Sequence, residues 1–391
     1  MAGLYLHIPF CKRRCIYCDF YSTTCIDRHT EYTKALCREI ALRKDFLKTN
    51  TLSTIYIGGG TPSLLPIEDL SFIFEEIKRH FHISPSAEIT LEMNPDDVSA
   101  SKVEEIRQHT PINRVSMGVQ SFNNEDLRLL QRRHTSDAAI KAVETLKNSG
   151  LTNINIDLIY GLPGQTLAGW EKNIQKALEL DVPHLSAYAL IYEENTKLWT
   201  LRDEGVVQEA PEQTSLDMFN SLIDHVEKAG FVHYEISNFA KPNFESKHNS
   251  SYWDEVPYLG CGPSAHSYNG ECRQWNLADL DTYIKTINEL HHGITPSQPL
   301  FESEHMSIPT RYNDRVVTSI RTAKGLDIYM LEQDFGADLA TYCLRMAEPY
   351  LQQGLLEKTT PSDQKPKGVL KLTREGIFLS DGIMSDLMWV D

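Results

Sequence analysis

Three cysteines near the start of the chain have the spacing of a metal-binding loop. Cys11, Cys15 and Cys18 form the pattern C-x3-C-x2-C, directly after the apolar run 4–8. A loop this short brings three sulfur atoms close together, and thiolates are ligands of zinc and of iron–sulfur clusters. A structural zinc site needs four ligands, and a four-iron cluster usually takes four cysteines. Three cysteines would leave one iron without a protein ligand, which is typical of a reactive site.

The same spacing also leaves a structural zinc site open. Its fourth ligand would then be a nearby side chain such as His7 or Asp19. The type and spacing of the ligands limit which metals can bind, but they do not identify a single metal. A cluster and a zinc ion are therefore both alternatives at this point.

Composition and charge define the general class of the 391-residue chain. The length fits one large domain and a smaller one. The net charge of −16 argues against broad nonspecific binding to nucleic acid, which depends on lysine and arginine. The sequence has no bilayer-spanning apolar run and no secretory signal pattern. We therefore expect a cytoplasmic protein with reduced cysteines, and we assign no role to Cys25, Cys37, Cys261, Cys272 and Cys343.

The first two-thirds of the chain alternates between strand-like and helical patterns. Apolar strand-like runs occupy 4–8, 54–57, 88–92, 114–118, 153–158 and 184–190. Helical patterns occupy 28–46, 99–109, 136–149 and 166–179, and Leu70, Ile73, Phe74 and Ile77 form a further stripe at helical spacing. Strands that alternate with helices predict a parallel sheet. Six such units predict an α/β fold, namely a partial (β/α)6 TIM-type barrel.

Residues suited to ligand binding follow these strands. In a barrel the active residues lie at the carboxyl ends of the strands, and the cysteine loop follows the first one. Glycine lets the backbone approach a ligand closely, as in Gly58-Gly-Gly-Thr61 after the second strand. Polar or small residues at the other strand ends are Glu92, Gln120, Asp157 and Ala189.

Several motifs together resemble a known family. The C-x3-C-x2-C loop with an aromatic residue before its last cysteine resembles the cluster-binding signature of the radical S-adenosylmethionine (radical SAM) family. Motifs along nearly the entire chain are similar to the oxygen-independent coproporphyrinogen III oxidase group: YLHIPFC at 5–11, GGGTPS at 58–63, E-x-N-P at 92–95, GVQSF at 118–122 and NIDLIYGLP at 155–163.

The resemblance implies a barrel that holds a four-iron four-sulfur cluster on Cys11, Cys15 and Cys18. S-adenosylmethionine would bind the open iron of that cluster through its amine and carboxylate. Matching motif positions place ten residues at the nucleotide site: Tyr5, Tyr17, Gly59, Gly60, Thr61, Glu92, Gln120, Arg132, Asp157 and Ala189. In the oxidase, a second S-adenosylmethionine would face Gln120, Arg132, Asp157 and Ala189.

Two departures from the oxidase pattern favour a different activity. The segment 248–253 has the pattern H-N-x-x-Y-W, which is characteristic of the HemW-like heme chaperone branch. The resemblance implies that His248 helps to hold heme, and imidazole is a common axial ligand of heme iron. His266 is a second candidate near the barrel mouth. The oxidase carries a further cysteine two residues beyond the third, where this chain has Phe20.

The remaining sequence predicts a smaller second domain. We place the barrel at 1–240, the H-N-x-x-Y-W loop and a linker at 241–307, and the C-terminal domain at 308–391. The segment 270–307 reads as irregular. Helical patterns from about 310, followed by two short strands, predict an α+β winged-helix-like module similar to the C-terminal domain of the family. The tail carries no basic stripe, so it lacks the electrostatic footprint of a nucleic-acid binder.

The sequence thus favours a heme chaperone that passes heme to a respiratory enzyme or another hemoprotein. One alternative is oxidative decarboxylation of coproporphyrinogen III to protoporphyrinogen IX. A second is a radical SAM enzyme that acts on another substrate. The family analogy also leaves open a homodimer, and a membrane-bound acceptor would bring the protein to the inner face of the membrane.

Overall fold

The computed structural model describes residues 1–390. Asp391, the last residue of the expected 308–391 domain, lies outside the described residues. The strands are β1 (Ala2–Ile8), β2 (Thr51–Gly59), β3 (His82–Met93), β4 (Arg114–Gln120), β5 (Ile154–Tyr160), β6 (His184–Ala189), β7 (Val232–Glu235), β8 (Asn238–Ala240), β9 (Tyr258–Cys261), β10 (His266–Tyr268), β11 (Cys272–Asn276), β12 (Phe301–His305), β13 (Leu326–Asp327), β14 (Leu356–Lys358) and β15 (Val369–Leu372).

The helices connect and cover these strands. They are α1 (His29–Leu42), α2 (Ile67–His80), α3 (Ala100–His109), α4 (Asn124–Leu129), α5 (Ser136–Asn148), α6 (Leu167–Glu179), α7 (Lys197–Asp203), α8 (Glu212–Lys228), α9 (Lys247–Trp253), α10 (Leu280–His291), α11 (Ile308–Ile320), α12 (Ile328–Phe335), α13 (Ala337–Gln352), α14 (Arg374–Phe378) and α15 (Ser380–Leu387).

A sheet of twelve strands, described within residues 1–390, forms the main body of the protein. Its order is β12-β11-β10-β9-β1-β2-β3-β4-β5-β6-β8-β7, and β1 to β6 are parallel neighbours in chain order. Helices connect successive strands of this parallel array. β1 pairs on its other side with β9 and not with β6, so the barrel is open. This arrangement confirms the partial (β/α)6 barrel.

Local sequence explains where the barrel helices begin. Ser99, Thr135 and Thr166 precede α3, α5 and α6, and each side chain accepts a hydrogen bond from a backbone N–H of the first helical turn. Such caps satisfy donors that otherwise have no partner. The apolar stripe of α2 is buried against the sheet, as its helical spacing predicted.

Two expectations for the middle of the chain were wrong. The segment 270–307 is not irregular: β11, α10 and β12 occupy most of it, and both strands extend the main sheet. The H-N-x-x-Y-W motif is not a loop but most of the helix α9, capped by the Ser246 side chain. Strands this short, with little alternation, gave no clear period-2 signal.

The C-terminal region has a hydrophobic core of its own. Its elements follow the order α11, β13, α12, α13, β14, β15, α14, α15, and its sheet has the order β13-β15-β14 with antiparallel pairs. Three arginines of this region form ion pairs with the main body: Arg315 with Glu255, Arg321 with Glu235 and Arg374 with Asp224. The expected smaller α+β domain is therefore confirmed. Among residues 1–390, no helix has the length and apolar character that crossing a membrane requires.

Candidate functional site

The carboxyl ends of the parallel strands surround a cavity of about 450 Å³. Twelve of the fifteen residues singled out from the sequence line it, and the three exceptions are Tyr5, His248 and His266. The lining set contains Cys11, Cys15, Cys18, Tyr17, Gly59, Gly60, Thr61, Glu92, Gln120, Arg132, Asp157 and Ala189. The barrel thus brings together side chains that are as much as 178 positions apart in the sequence, from Cys11 to Ala189.

Backbone hydrogen bonds fix the cysteine loop at both ends. The Cys11 N–H donates to the Thr23 carbonyl at 2.9 Å, and the Thr61 N–H donates to the Phe10 carbonyl at 2.7 Å. On the far side of the barrel, the Leu198 N–H donates to the Ile16 carbonyl at 2.9 Å. Because Leu198 lies in α7, after β6, this bond connects the two ends of the parallel array across the open barrel.

The three thiols lie among polar groups of neighbouring strands. Cys11 Sγ is 3.6 Å from Thr61 Oγ1, and Arg132 Nη1 donates to Cys15 Sγ at 3.4 Å. Burial raises the pKa of the Cys18 thiol to about 11. Among residues 1–390, no group of three or more His, Cys, Asp or Glu side chains is arranged to hold a single metal ion. In a four-iron cluster the thiolates bind different iron atoms, so the sulfur atoms need not meet at one point.

The zinc alternative required a fourth ligand close to the cysteines. Both ring nitrogens of His7 are already in hydrogen bonds, one with the Tyr5 hydroxyl at 3.0 Å and one with the Tyr21 carbonyl at 2.9 Å. Asp19 is exposed at the rim of the cavity. In this arrangement His7 has no free nitrogen for zinc.

Glu92 is held against the glycine segment at the end of β2. Its carboxylate accepts a hydrogen bond from the Tyr56 hydroxyl at 2.7 Å and one from the Gly59 N–H at 3.0 Å. Burial raises the pKa of Glu92 to about 7, and Asp157 contributes to this increase. A side chain at Gly60 would place its Cβ 2.7 Å from the Phe10 carbonyl oxygen. Glycine is therefore required where the segment passes under the cysteine loop.

Arg132 is a buried cation that joins three elements of the site. Its Nη2 donates to Asn94 Oδ1 at 2.6 Å and to the Gly118 carbonyl at 2.5 Å, while Nη1 contacts Cys15. Its Nε is buried and has no hydrogen-bond partner within residues 1–390. The residue before it, Gln131, has a left-handed φ of 57° that turns the chain back toward the cavity.

Asp157 lies on the cavity wall among amide and hydroxyl groups. Asn155 Nδ2 donates to its Oδ1 at 2.6 Å, and the Ser116 hydroxyl donates to its Oδ2 at 3.5 Å. Burial raises the pKa of this carboxyl group. The parallel register aligns Asp157 with Gly118 on β4, which has no side chain, and both residues line the cavity.

Comparisons with known proteins agree on one family. The model of the radical SAM superfamily matches residues 5–177, and that of the HemN C-terminal domain matches residues 307–379. The heme chaperone HemW of Lactococcus lactis is 35% identical over 332 residues, covering 85% of this chain and 84% of that protein. HemW of Bacillus subtilis is 32% identical over 387 residues, covering 98% of each. The chain belongs to the HemW group of the radical SAM superfamily.

A solved structure supports the same grouping. Coproporphyrinogen III oxidase (HemN) of Escherichia coli, described as a radical SAM enzyme, superimposes with a TM-score of 0.83 at 25% identity. The match covers 99% of this chain and 89% of HemN. The chain therefore shares both the barrel and the C-terminal domain with HemN.

Membership of the radical SAM superfamily implies a four-iron cluster and S-adenosylmethionine, and the cavity residues of this HemW chain fit both. Three thiols and a buried guanidinium with an unpaired Nε face one space. The partly buried carboxylate of Glu92 and the polar wall around Asp157 suit an amino group and ribose hydroxyls. The glycine segment leaves its backbone accessible beside them.

The histidine of the HemW motif lies beneath the cavity and not in its wall. His248 is 1% exposed, its Nδ1 bonds with Thr54 Oγ1 at 2.9 Å, and its Nε2 bonds with the Tyr252 hydroxyl at 2.8 Å. Its ring stacks on Tyr56 with the centroids 5.1 Å apart. In this conformation neither nitrogen is available to heme iron. Burial also lowers the pKa of His248 to about 3.

Tyr5 and His266 also lie outside the lining of the cavity. Tyr5 lies beside His248 and Tyr56 in the same aromatic layer, with ring centroids 6.5 and 6.2 Å away. His266 is exposed on β10 and stacks on Trp275 with the centroids 6.3 Å apart. The structure therefore places neither Tyr5 nor His266 in the cavity wall.

Sequence reasoning missed several residues of the HemW cavity. Polar side chains that line the cavity from within the strands are Tyr56, Ser116, Asn155, Ser186 and Tyr188, and the cavity is also lined by Asn94, just after β3, and by Asn249 of the motif. The usable signal was period-2 polarity inside otherwise apolar parallel strands, as at Asn155 and Asp157 or Ser186 and Tyr188. Such runs are normally apolar throughout because both faces of a parallel sheet are covered.

Proposed function

We propose that this protein is a heme chaperone, which binds heme and delivers it to hemoproteins such as respiratory enzymes. The observation that carries the proposal is the likeness to proteins named heme chaperone HemW, at 32–35% identity over most of the chain. The absence of the further cysteine at position 20, where the oxidase pattern has one, points the same way.

Cys11, Cys15 and Cys18 would hold the cluster, and Arg132 would offset its negative charge next to Cys15. Glu92 would accept a hydrogen bond from the amino group of S-adenosylmethionine while the Gly59 and Gly60 backbone lies beside the methionine moiety. Asp157 would accept hydrogen bonds from the ribose, and Arg132 is also suited to a carboxylate. The remaining positions in this proposal are Tyr5, Tyr17, Thr61, Gln120 and Ala189. When bound, the cluster supplies an electron that can cleave the sulfonium.

His248 as a heme ligand is a further proposal, and it requires a change of conformation. The imidazole would have to leave the hydroxyls of Thr54 and Tyr252 before it could bind iron. Opening of α9 would be the simplest such change, because both the histidine and Tyr252 belong to that helix.

The test of the chaperone is heme uptake and transfer. The cluster is reconstituted anaerobically, hemin is added, and the absorbance spectrum and the mass of the denatured protein are recorded. We expect a Soret shift, and a loss of heme from the chaperone when an apo-hemoprotein is added. A chain that neither changes the hemin spectrum nor speeds transfer above the rate of free hemin would refute the proposal.

Coproporphyrinogen decarboxylation is the second candidate, favoured by the superposition on HemN. Protoporphyrinogen formed under anaerobic, reducing conditions with S-adenosylmethionine would support it. A chaperone without this activity would form none from coproporphyrinogen yet would still transfer heme. 5′-Deoxyadenosine that appears only with some other compound would support the remaining radical SAM alternative.

Location and assembly complete the proposal. We place the protein in the cytoplasm, with contact at the inner face of the membrane only through a membrane-bound acceptor. A homodimer would appear as a doubled mass in analytical ultracentrifugation of the reconstituted protein. Nucleic acid is not among the proposed partners, because the chain carries 54 acidic against 38 basic residues.

A further inference from the structure

Two apolar side chains and the ring of one tyrosine are exposed around the mouth of the cavity. Phe20, Tyr188 and Ile191 are 63%, 42% and 65% exposed, and all three line the same opening. Phe20 follows β1, whereas Tyr188 and Ile191 lie at the end of β6 and just after it. Large apolar groups that share one rim usually mark a binding surface, whereas single scattered ones are normal. We call these three residues the apolar rim.

Two arginines stand on the cysteine loop beside the apolar rim. Arg13 and Arg14 are exposed and line the mouth, and neither has an ion-pair partner in the part of the chain that the structure describes. Arg14 Nη2 donates to the Phe20 carbonyl oxygen at 3.4 Å, so its guanidinium lies next to the base of an exposed ring. Arg13 Nη2 reaches Gln131 Oε1 at 3.4 Å. Two unpaired cations are notable in a chain of net charge −16.

The interior of the cavity is polar, whereas its rim combines three large exposed side chains with the charged groups of Arg13, Arg14 and Asp19. Glu92, Asp157, Asn155 and Ser116 line its interior. Covering such groups with a flat hydrocarbon ring would cost free energy, because buried polar atoms need hydrogen-bond partners. A large apolar ligand with an anionic edge is therefore better matched by the mouth than by the interior.

We propose that the mouth binds heme, with its macrocycle on Phe20, Tyr188 and Ile191 and its two propionates toward Arg13 and Arg14. The inference rests on the proposed chaperone function and adds the place and orientation of the cargo. Arginine suits carboxylates because its planar fork can donate two hydrogen bonds. Heme at this position lies over the cluster loop and outside the S-adenosylmethionine pocket. This site is an alternative to ligation of the heme iron by His248, which is buried beneath the cavity.

The experiment compares two ligands on matched variants of the reconstituted protein with S-adenosylmethionine present. The ligands are hemin and hemin dimethyl ester, which lacks the two negative charges. The variant Arg13→Gln/Arg14→Gln removes two positive charges at the mouth. Its control, Lys34→Gln/Lys172→Gln, removes two from exposed positions on α1 and α6 that do not line the cavity. Ile191→Gln tests the apolar part without touching the cysteine loop.

We expect the arginine variant to bind hemin about 2- to 30-fold more weakly than wild type, from two exposed ion pairs. It should bind the dimethyl ester as wild type does, and the lysine control should bind both ligands normally. Ile191→Gln should weaken both ligands. Iron content is measured for each variant, so that loss of the cluster is recognised separately.

Two results would overturn this site. Unchanged hemin affinity in both the arginine variant and Ile191→Gln would place heme elsewhere. The same conclusion would follow if the arginine variant lost as much affinity for the dimethyl ester as for hemin. Normal heme affinity with slower transfer to an apo-hemoprotein would make the rim a surface for the acceptor instead. Failure of wild type to bind hemin at all would refute the chaperone itself, which is a separate outcome.

Discussion

Tyr56→Phe tests whether the hydrogen bond beneath Glu92 sets the pH range of S-adenosylmethionine binding. Burial raises the pKa of Glu92 to about 7, and the Tyr56 hydroxyl, which donates to Glu92 Oε1 at 2.7 Å, limits that increase. A hydrogen bond to a charged group contributes about 1.5–3 kcal/mol. One pKa unit corresponds to about 1.4 kcal/mol, so its loss should raise the pKa by about one to two units.

The consequence for binding follows from which form of Glu92 accepts a hydrogen bond well. At the proposed site, the N–H groups of the iron-bound amine would donate to the ionised carboxylate, and the neutral acid would be the weaker acceptor. In wild type about half of Glu92 is ionised at pH 7, and affinity should fall about tenfold for each pH unit well below that. With the pKa at about 8–9, Tyr56→Phe should bind about 5- to 50-fold more weakly at pH 7 and recover toward pH 9.

The assay is equilibrium binding of S-adenosylmethionine to the cluster-reconstituted protein between pH 6 and pH 9. Glu92→Gln removes the titrating carboxyl group. Any pH dependence of affinity that remains in this variant comes from ionisation of the ligand itself. Tyr160→Phe, in a strand outside the Glu92 hydrogen bonds, is the matched control for loss of a buried hydroxyl. A Tyr56→Phe profile with the same midpoint as wild type would show that this bond does not govern Glu92.

Three further changes have defined outcomes. Cys15→Ser should abolish bound iron and weaken S-adenosylmethionine; unchanged iron content and affinity, by metal analysis and dialysis, would contradict the cluster assignment. His248→Ala should lower the free energy of unfolding by about 2–6 kcal/mol, because the buried hydroxyls of Thr54 and Tyr252 each lose a hydrogen-bond partner. Denaturant unfolding measures this free energy, and a decrease below about 1 kcal/mol would contradict the expected cost. Gly60→Ala should displace the glycine segment from the cysteine loop and weaken S-adenosylmethionine, and full affinity would show that the loop adapts.

The parallel part of the fold could be predicted from the sequence because the pattern of each segment and the alternation of strands and helices along the chain indicate the same structure. Each of the six strands is a short apolar run between helical patterns, and parallel strands end on one edge of a sheet. That geometry alone placed Glu92 and Asp157 in one cavity with the cysteines. The additional strands β9 to β12 could not be read in the same way, since they are only three to five residues long.

The environment of His248 depends on contacts between distant parts of the chain. The H-N-x-x-Y-W pattern looks like a polar loop because histidine and asparagine are common in turns. Thr54 is 194 positions away in the sequence, yet it provides the hydroxyl partner that allows this ring to be buried. Tyr56 was missed for a related reason, since its role depends on the carboxylate that β3 places beside it.

The pairing of β1 with β9 has a consequence for biosynthesis. Gly3 to Leu6 on β1 pair with Tyr258 to Cys261, so one edge of the first strand has no partner until about two-thirds of the chain has left the ribosome. An unpaired edge of an apolar strand is a template for aggregation, and contacts of long sequence separation form slowly. A fragment that ends near residue 240 should therefore aggregate.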